Sequence, residues 1–211
     1  MRNYAIECDL QISKDGEAMV FHDDTIDRLL EGVGPVRQQD ASSLRQLKFK
    51  SCADRIQTLG ELLDQVDAKV PLIIELKSHW DYDPELPLRV LNVIKNYRGP
   101  YALMSFDPDM IACIAERAPG IVRGITADRV TDAYYEMLSL KRRLSLRNFS
   151  HLPRTKPHFV SFDFNGLPFS PVTAIRKAGH PVISWTINSP ADSTIALRYS
   201  DQITFQGYHP A

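Results

Sequence analysis

Three acids and a lysine are set by their spacing to act together in this 211-residue chain. Glu7 and Asp9 lie two residues apart in the run AIECDLQ. Residues i and i+2 of a strand share a face, so these carboxyls point together while Ile6, Cys8 and Leu10 point away. Glu75 and Lys77 repeat the spacing at the end of VPLIIELK, with Ile74 and Leu76 on the opposite face. Acids converging among apolar neighbours are costly unless a cation or a shifted protonation resolves them. Lys77 could serve Glu75 as a plain ion-pair partner. Alternatively, Glu7, Asp9 and Glu75 meet as oxygen ligands of a hard divalent cation, Mg²⁺ or Ca²⁺, with water completing the shell. For Glu7 and Asp9 the remaining reading is a surface strand with two solvated acids.

Positioning these groups falls to strands alternating with helices. Residues 5–11 and 18–21 read as strands joined by the turn Lys14-Asp15-Gly16, the second run ending in His22-Asp23. A loop-rich stretch broken by Gly32, Gly34 and Pro35 follows, with one helical turn at 42–47. Thr58 and Glu61 form a capping box ahead of an amphipathic helix over 59–66. The apolar run at 70–76 suits a strand buried on both faces. Further strands are expected at 101–105, 121–125, 158–164, 181–186 and 202–205. Helices are expected at 84–97, 108–117, 132–146, 171–178 and 190–199, with Asp107, Ser170 and Ser189 as caps and Gly179 closing the helix before it. Repeated strand-helix steps with short links indicate parallel βα units, as a doubly wound sheet or a (β/α)₈ barrel. Polar residues recur at the C-terminal ends of strands, where barrels place their chemistry, and no G-x-G-x-x-G follows any strand, so the barrel is favoured.

Bulk properties exclude several classes. Twenty-five basic against 26 acidic residues leave a net charge of −1, which argues against nucleic acid or an acidic polymer as partner. Cys8, Cys52 and Cys113 are scattered and odd in number, which suits a reducing, cytoplasmic compartment and neither a disulfide framework nor a zinc site. No run of eighteen apolar residues is present to span a membrane, and the first residues lack the apolar region of a signal peptide.

Taken together, Glu7-x-Asp9, Lys14-Asp15-Gly16, Val20-Phe21-His22-Asp23, Asp27-Arg28, Gly32-x-Gly34, Thr58-Leu59-x-Glu61 and Ile74-Glu75-Leu76-Lys77 closely resemble the glycerophosphodiester phosphodiesterase family. Ser105-Phe106 and Trp185-Thr186-x-Asn188 extend the likeness, more loosely, over most of the chain. The resemblance implies a single TIM-barrel domain, 1–211, with a small insertion at 15–58 after the barrel's second strand. It also implies divalent-metal-dependent hydrolysis of a small-molecule glycerophosphodiester to sn-glycerol 3-phosphate and an alcohol. By motif, Glu7, Asp9 and Glu75 correspond to the metal ligands and His22 to one of two catalytic histidines. Lys77 corresponds to a phosphate-facing lysine, and Trp185 to an aromatic lining the pocket. Related phospholipase or sphingomyelinase D-like chemistry, or a non-catalytic phosphodiester-binding module, are the alternatives.

The family pattern opens with a strand ending in His-Arg-Gly, upstream of the Glu-x-Asp strand; here six residues precede Glu7. A length of 211 is also short for a barrel of about 250 residues. The expectation is therefore a barrel lacking its first strand and helix, begun at an internal methionine and impaired in turnover. Its strands at 5–11 and 202–205 are expected as open edges that favour a homo-oligomer. Lys141, Arg142, Arg143, Arg147, Arg154 and Lys156 read as a solvated helix end and loop, with attraction of anionic headgroups or the substrate phosphate as the alternative. Phe106, Phe162 and Phe164 read as packing, Cys8 as a core thiol, and Asp163 as an acid with a weaker claim on the site.

Overall fold

The computed structural model describes residues 4–210. Eight strands form one sheet, in the order β2 (Ala18–Val20), β1 (Ile6–Ile12), β3 (Leu72–Leu76), β4 (Tyr101–Ser105), β5 (Arg123–Ala127), β6 (Phe159–Asp163), β7 (Val182–Ile187), β8 (Gln202–Phe205). The β1–β2 hairpin is antiparallel and every other pairing is parallel. The hairpin turns on Gly16, whose φ of 78° is open to glycine without penalty. The sheet curls as a barrel does, with helices on its outer face.

Those helices are α2 (Leu59–Val66), α3 (Glu85–Ile94), α4 (Pro108–Arg117), α5 (Leu140–Arg147), α7 (Ser170–Lys177) and α8 (Pro190–Ala196), besides the short α1 (Ala41–Leu44) and α6 (Leu152–Thr155). Thr58 and Glu61 close the capping box on α2, and the Asp107 and Ser189 side chains cap α4 and α8 as expected. Gly179 ends α7 with a φ of 94°. Between sheet and helices lies the main core, where Leu10, Leu72, Ile74 and Leu76 meet Leu59, Val90, Ile111 and Val172. Inside the curl a smaller apolar floor joins Ala102, Met104 and Phe159, with Ile73 and Ile183 against it. Gly124 makes that floor possible, since a Cβ there would sit 2.3 Å from the Phe159 ring. A separate cluster of Met19, Phe21, Ile26, Leu30, Val36, Leu44 and Ile56 holds the loop-rich stretch between β2 and α2.

Several expectations needed correction. The helix expected over 132–146 is broken: Asp132 caps a 3₁₀ turn at Ala133–Tyr135, and Ser139 caps the new helix α5. Two N-caps in eight residues restart the backbone ladder, which hydrophobic spacing alone does not register. Ser170 is the first residue of α7 rather than its cap, with Phe169 before it making no side-chain cap bond. β5 runs two residues later than expected: its pairing with β4 begins at Arg123, opposite Leu103, while Ile121 N–H still closes the turn after α4 on the Ala118 carbonyl. The buried Arg123 guanidinium donates to the carbonyls of Thr155, Pro119 and Ile121. The expected bare edge on β1 is partly covered, since Leu10, Gln11 and Ile12 pair with β2. Tyr4 reaches across toward β8: its hydroxyl donates to the Pro210 carbonyl at 2.8 Å and its ring meets Phe205 at 5.0 Å.

Candidate active site and metal centre

In-register parallel pairing sets Asp9 directly opposite Glu75, with Glu7 one pleat deeper on the same face. Their ligand oxygens all lie within 4.8 Å of one another. Lys77, just beyond β3, donates to Glu75 Oε1 at 2.6 Å and lies 2.8 Å from Asp9 Oδ1. The plain ion pair and the carboxylate cluster are thus one arrangement rather than rivals. Solvated surface acids are ruled out, because Glu75 is 4% exposed and Glu7 and Asp9 are only partly so.

Charge on this cluster is strained. Burial, then Asp9 and Glu75, push the Glu7 carboxyl up to about 8, against the pull of Lys77. Burial likewise raises Glu75 above the usual carboxylate range. Burial works against the charge on Lys77, yet Glu75 and Asp9 overcome it and hold the ammonium protonated well above its ordinary value. One ammonium among three acids leaves negative charge uncompensated. Hard oxygen donors within mutual reach are the donor set that Mg²⁺ or Ca²⁺ takes, so these residues fit such an ion.

His22 sits just past β2, on a loop tied back to β1. Phe21 N–H donates to the Asp9 carbonyl at 3.0 Å, and the buried Gln11 amide donates to the His22 carbonyl at 3.2 Å and to Asp24 Oδ1 at 3.0 Å. Neighbouring residues of a strand point apart, but β2 ends at Val20, so the His22 Nδ1 and Asp23 Oδ1 meet at 2.8 Å. Arg28 clamps Asp23 through two bonds of 2.7 Å, and this clamp, with His22 assisting, holds the Asp23 carboxyl below its ordinary value. The imidazole itself is largely exposed, on the rim of the cavity.

A cavity of about 560 Å³ opens at the C-terminal ends of the strands, and Glu7, Asp9, His22, Glu75, Lys77 and Trp185 all line it. Every residue expected at the site is therefore brought together. Sequence reasoning missed Phe106, which reads as packing in the sequence and instead meets Trp185 edge-to-face at 5.7 Å on the cavity wall. It also missed Tyr134, which lines the mouth, and Gln11, whose polar side chain in a buried strand was a usable signal. Asp163 does not reach the cavity lining; its carboxylate accepts from Asn165 N–H and caps the turn after β6. Cys8 packs against the main core, and burial pushes its thiol up out of the reactive range.

Comparison with known proteins bears on this constellation. The sequence model of the glycerophosphoryl diester phosphodiesterase family matches residues 4–203. A glycerophosphodiester phosphodiesterase of Caldanaerobacter subterraneus subsp. tengcongensis is 27% identical over 196 residues, spanning 89% of this chain and 75% of its own length. Among solved structures, an Oleispira antarctica phosphodiesterase in complex with the product sn-glycerol-3-phosphate is similar with a TM-score of 0.78 at 21% identity, over 94% of this chain and 79% of that one. A glycerophosphodiester phosphodiesterase from Thermotoga maritima gives a TM-score of 0.68 at 22% identity, over 94% and 80%.

Proposed function

Because the chain belongs to the glycerophosphoryl diester phosphodiesterase family, whose members are phosphoric diester hydrolases, we propose that it hydrolyses glycerophosphodiesters to sn-glycerol 3-phosphate and an alcohol with a divalent cation bound by Glu7, Asp9 and Glu75. The observation that carries this reading is the gathering of three carboxylates and an ammonium in one cavity with an imidazole on its rim. When bound, the cation supplies Lewis acidity and a template for the phosphate oxygens.

The remaining work falls to the chain itself. Lys77 brings positive charge to the place where negative charge accumulates as the diester is attacked. His22 moves a proton to or from the reacting oxygens through Nε2. Its other nitrogen, Nδ1, is fixed by Asp23, which Arg28 fixes in turn, so the ring is oriented before substrate arrives. Trp185 and Phe106 form an aromatic wall against the apolar parts of the substrate. Among the described residues His22 is the one imidazole lining this cavity, so an acid or base role is left to water. Turnover slower by about 10²- to 10⁴-fold than with a paired imidazole is expected. Residues 15–58 act as an insertion whose own apolar cluster fixes the loop that carries His22.

The test is release of glycerol 3-phosphate from glycerophosphocholine by the purified chain, with calorimetric titration of Mg²⁺ and Ca²⁺. Slow release that stops in chelator supports the proposal. Release indifferent to chelator, or no binding of either cation, overturns it. Cation-dependent binding of the diester with no release at all would assign the chain to a binding module instead.

A further inference from the structure

The basic segment after the 3₁₀ turn combines unneutralised charge with exposed apolar side chains. Residues 137–156 carry Lys141, Arg142, Arg143, Arg147, Arg154 and Lys156 and contain no Asp or Glu, in a chain whose net charge is −1. Arg142 and Arg154 are spent on Asp107 and Asp109. Lys141, Arg147 and Lys156 are exposed and form no ion pair among the described residues.

Apolar side chains stand beside these unneutralised charges. Met137 is 70% exposed, Leu140 63% and Leu144 48%. Spacings of four and three residues put Leu140, Leu144 and Arg147 on one face of α5, the face turned away from buried Leu146. A helix that follows ordinary burial logic would carry polar residues there. The patch also adjoins the cavity mouth. Tyr134, three residues before Met137, both lines the cavity and is 46% exposed. Tyr82, 69% exposed, lies under the Arg142 guanidinium at 4.5 Å.

We infer that Met137, just ahead of α5, with Leu140, Leu144 and Arg147 on one face of that helix and Lys141 flanking it, forms a patch that docks on an anionic bilayer surface, with the cavity mouth beside the membrane. Exposed leucine and methionine set among unpaired basic groups match the two parts of such a surface, acyl chains below and phosphates above. A polar polyanion would satisfy the charges and leave the leucines in water. Glu136 and Asp132, at the near end of the patch, are the acids that oppose docking, against Lys141 and Arg147 within it; Asp132 is engaged in capping the 3₁₀ turn, its carboxylate accepting from Tyr134 N–H.

Co-sedimentation with vesicles tests this without requiring catalysis. The chain is expected to bind vesicles of phosphatidylglycerol and phosphatidylcholine in equal parts at least about tenfold more tightly than phosphatidylcholine alone, with loss on raising salt from about 0.1 to about 0.5 M. The double variant Leu140→Gln, Leu144→Gln keeps every charge and is expected to lose most of that binding, as is Lys141→Glu, Arg147→Glu. These positions are exposed, so unchanged circular dichroism and melting temperature are expected to accompany the loss. No binding to the anionic vesicles overturns the inference. So does binding that survives the leucine variant and is matched by heparin, which would mark a general polyanion face.

Discussion

Replacing Lys77 by Met tests the electrostatic logic of the site most directly. The ammonium lies 2.6 Å from Glu75 and 2.8 Å from Asp9, and its side chain is 17% exposed. At an effective dielectric near 20, each contact is worth about 6 kcal/mol before the cost of desolvating the charges. Removing one partner of a buried pair typically leaves a net loss of about 3–5 kcal/mol. Proton uptake by the freed carboxyls relieves part of this, so about 3 kcal/mol is expected near neutral pH. For a chain of this size that lowers the melting temperature by about 6–12 °C. The measurement is thermal unfolding of Lys77→Met and the unsubstituted chain, each in chelator and in millimolar Mg²⁺ or Ca²⁺. In chelator the variant should melt lower by that amount, and the cation should recover most of the difference, since it supplies the missing positive charge. It should also bind the variant more tightly, the competing ammonium being gone, while turnover falls by about 10²-fold or more. An unchanged melting temperature in chelator would refute the counter-ion role. A deficit that cations leave untouched would refute the shared site.

Other consequences are as specific. His22→Ala should cut turnover by about 10²- to 10⁴-fold with little change in melting temperature, because the ring is largely exposed; a large stability loss would assign it a structural role instead. Glu7 titrates near 8 in the cation-free fold against an ordinary 4.5, so cation affinity measured by calorimetry should weaken up to about tenfold per pH unit below 8. By the same linkage the folded state holds a proton that the unfolded chain lacks between those values. Stability in chelator should therefore fall as pH rises from 4.5 to 8, and saturating cation should flatten that slope. His151 is displaced the other way, from 6.5 to about 4, by burial and then by Arg154. Its stabilising contribution is complete above 6.5 and is lost as pH falls toward 4, about 3 kcal/mol in all, and denaturant unfolding of His151→Gln should lack that portion of the acid sensitivity.

Much of this was legible in the sequence, and the reasons are local. Alternation in 5–11 and the apolar run at 70–76 reveal both strands and the face on which each acid sits. Thr58 with Glu61, Asp107 and Ser189 announce helix starts because a cap bond is made within three residues of chain. What escaped depends on partners distant in sequence. Phe106 becomes cavity wall only because Trp185, on a strand three places along the sheet, turns toward it. Tyr134 reaches the mouth because the expected helix breaks between Tyr135 and Leu140, and Trp80 receives its ring at 6.1 Å. The short α6 lies below the length at which hydrophobic spacing is informative.

The same alternation that stabilises the sheet also specifies the site. Leu10 on β1 and Leu72, Ile74 and Leu76 on β3 are all fully buried in the helix-facing core, and Cys8 packs against it. Glu7, Asp9 and Glu75 therefore face the interior of the curl, above the floor formed around Ile73 and Met104. A slip of one residue in β1 would exchange the two sets, driving Glu7 and Asp9 into the helix layer and Leu10 into the cavity. Each carboxyl placed there without a hydrogen-bond partner would cost about 2–7 kcal/mol even when protonated. The acids thus pin the register that brings them together. Their mutual repulsion is tolerated because the competing register is worse, and Lys77 at the open end of β3 offsets part of it. A cation site is the natural use of such a cluster, since the fold has already assembled the donors for reasons of packing.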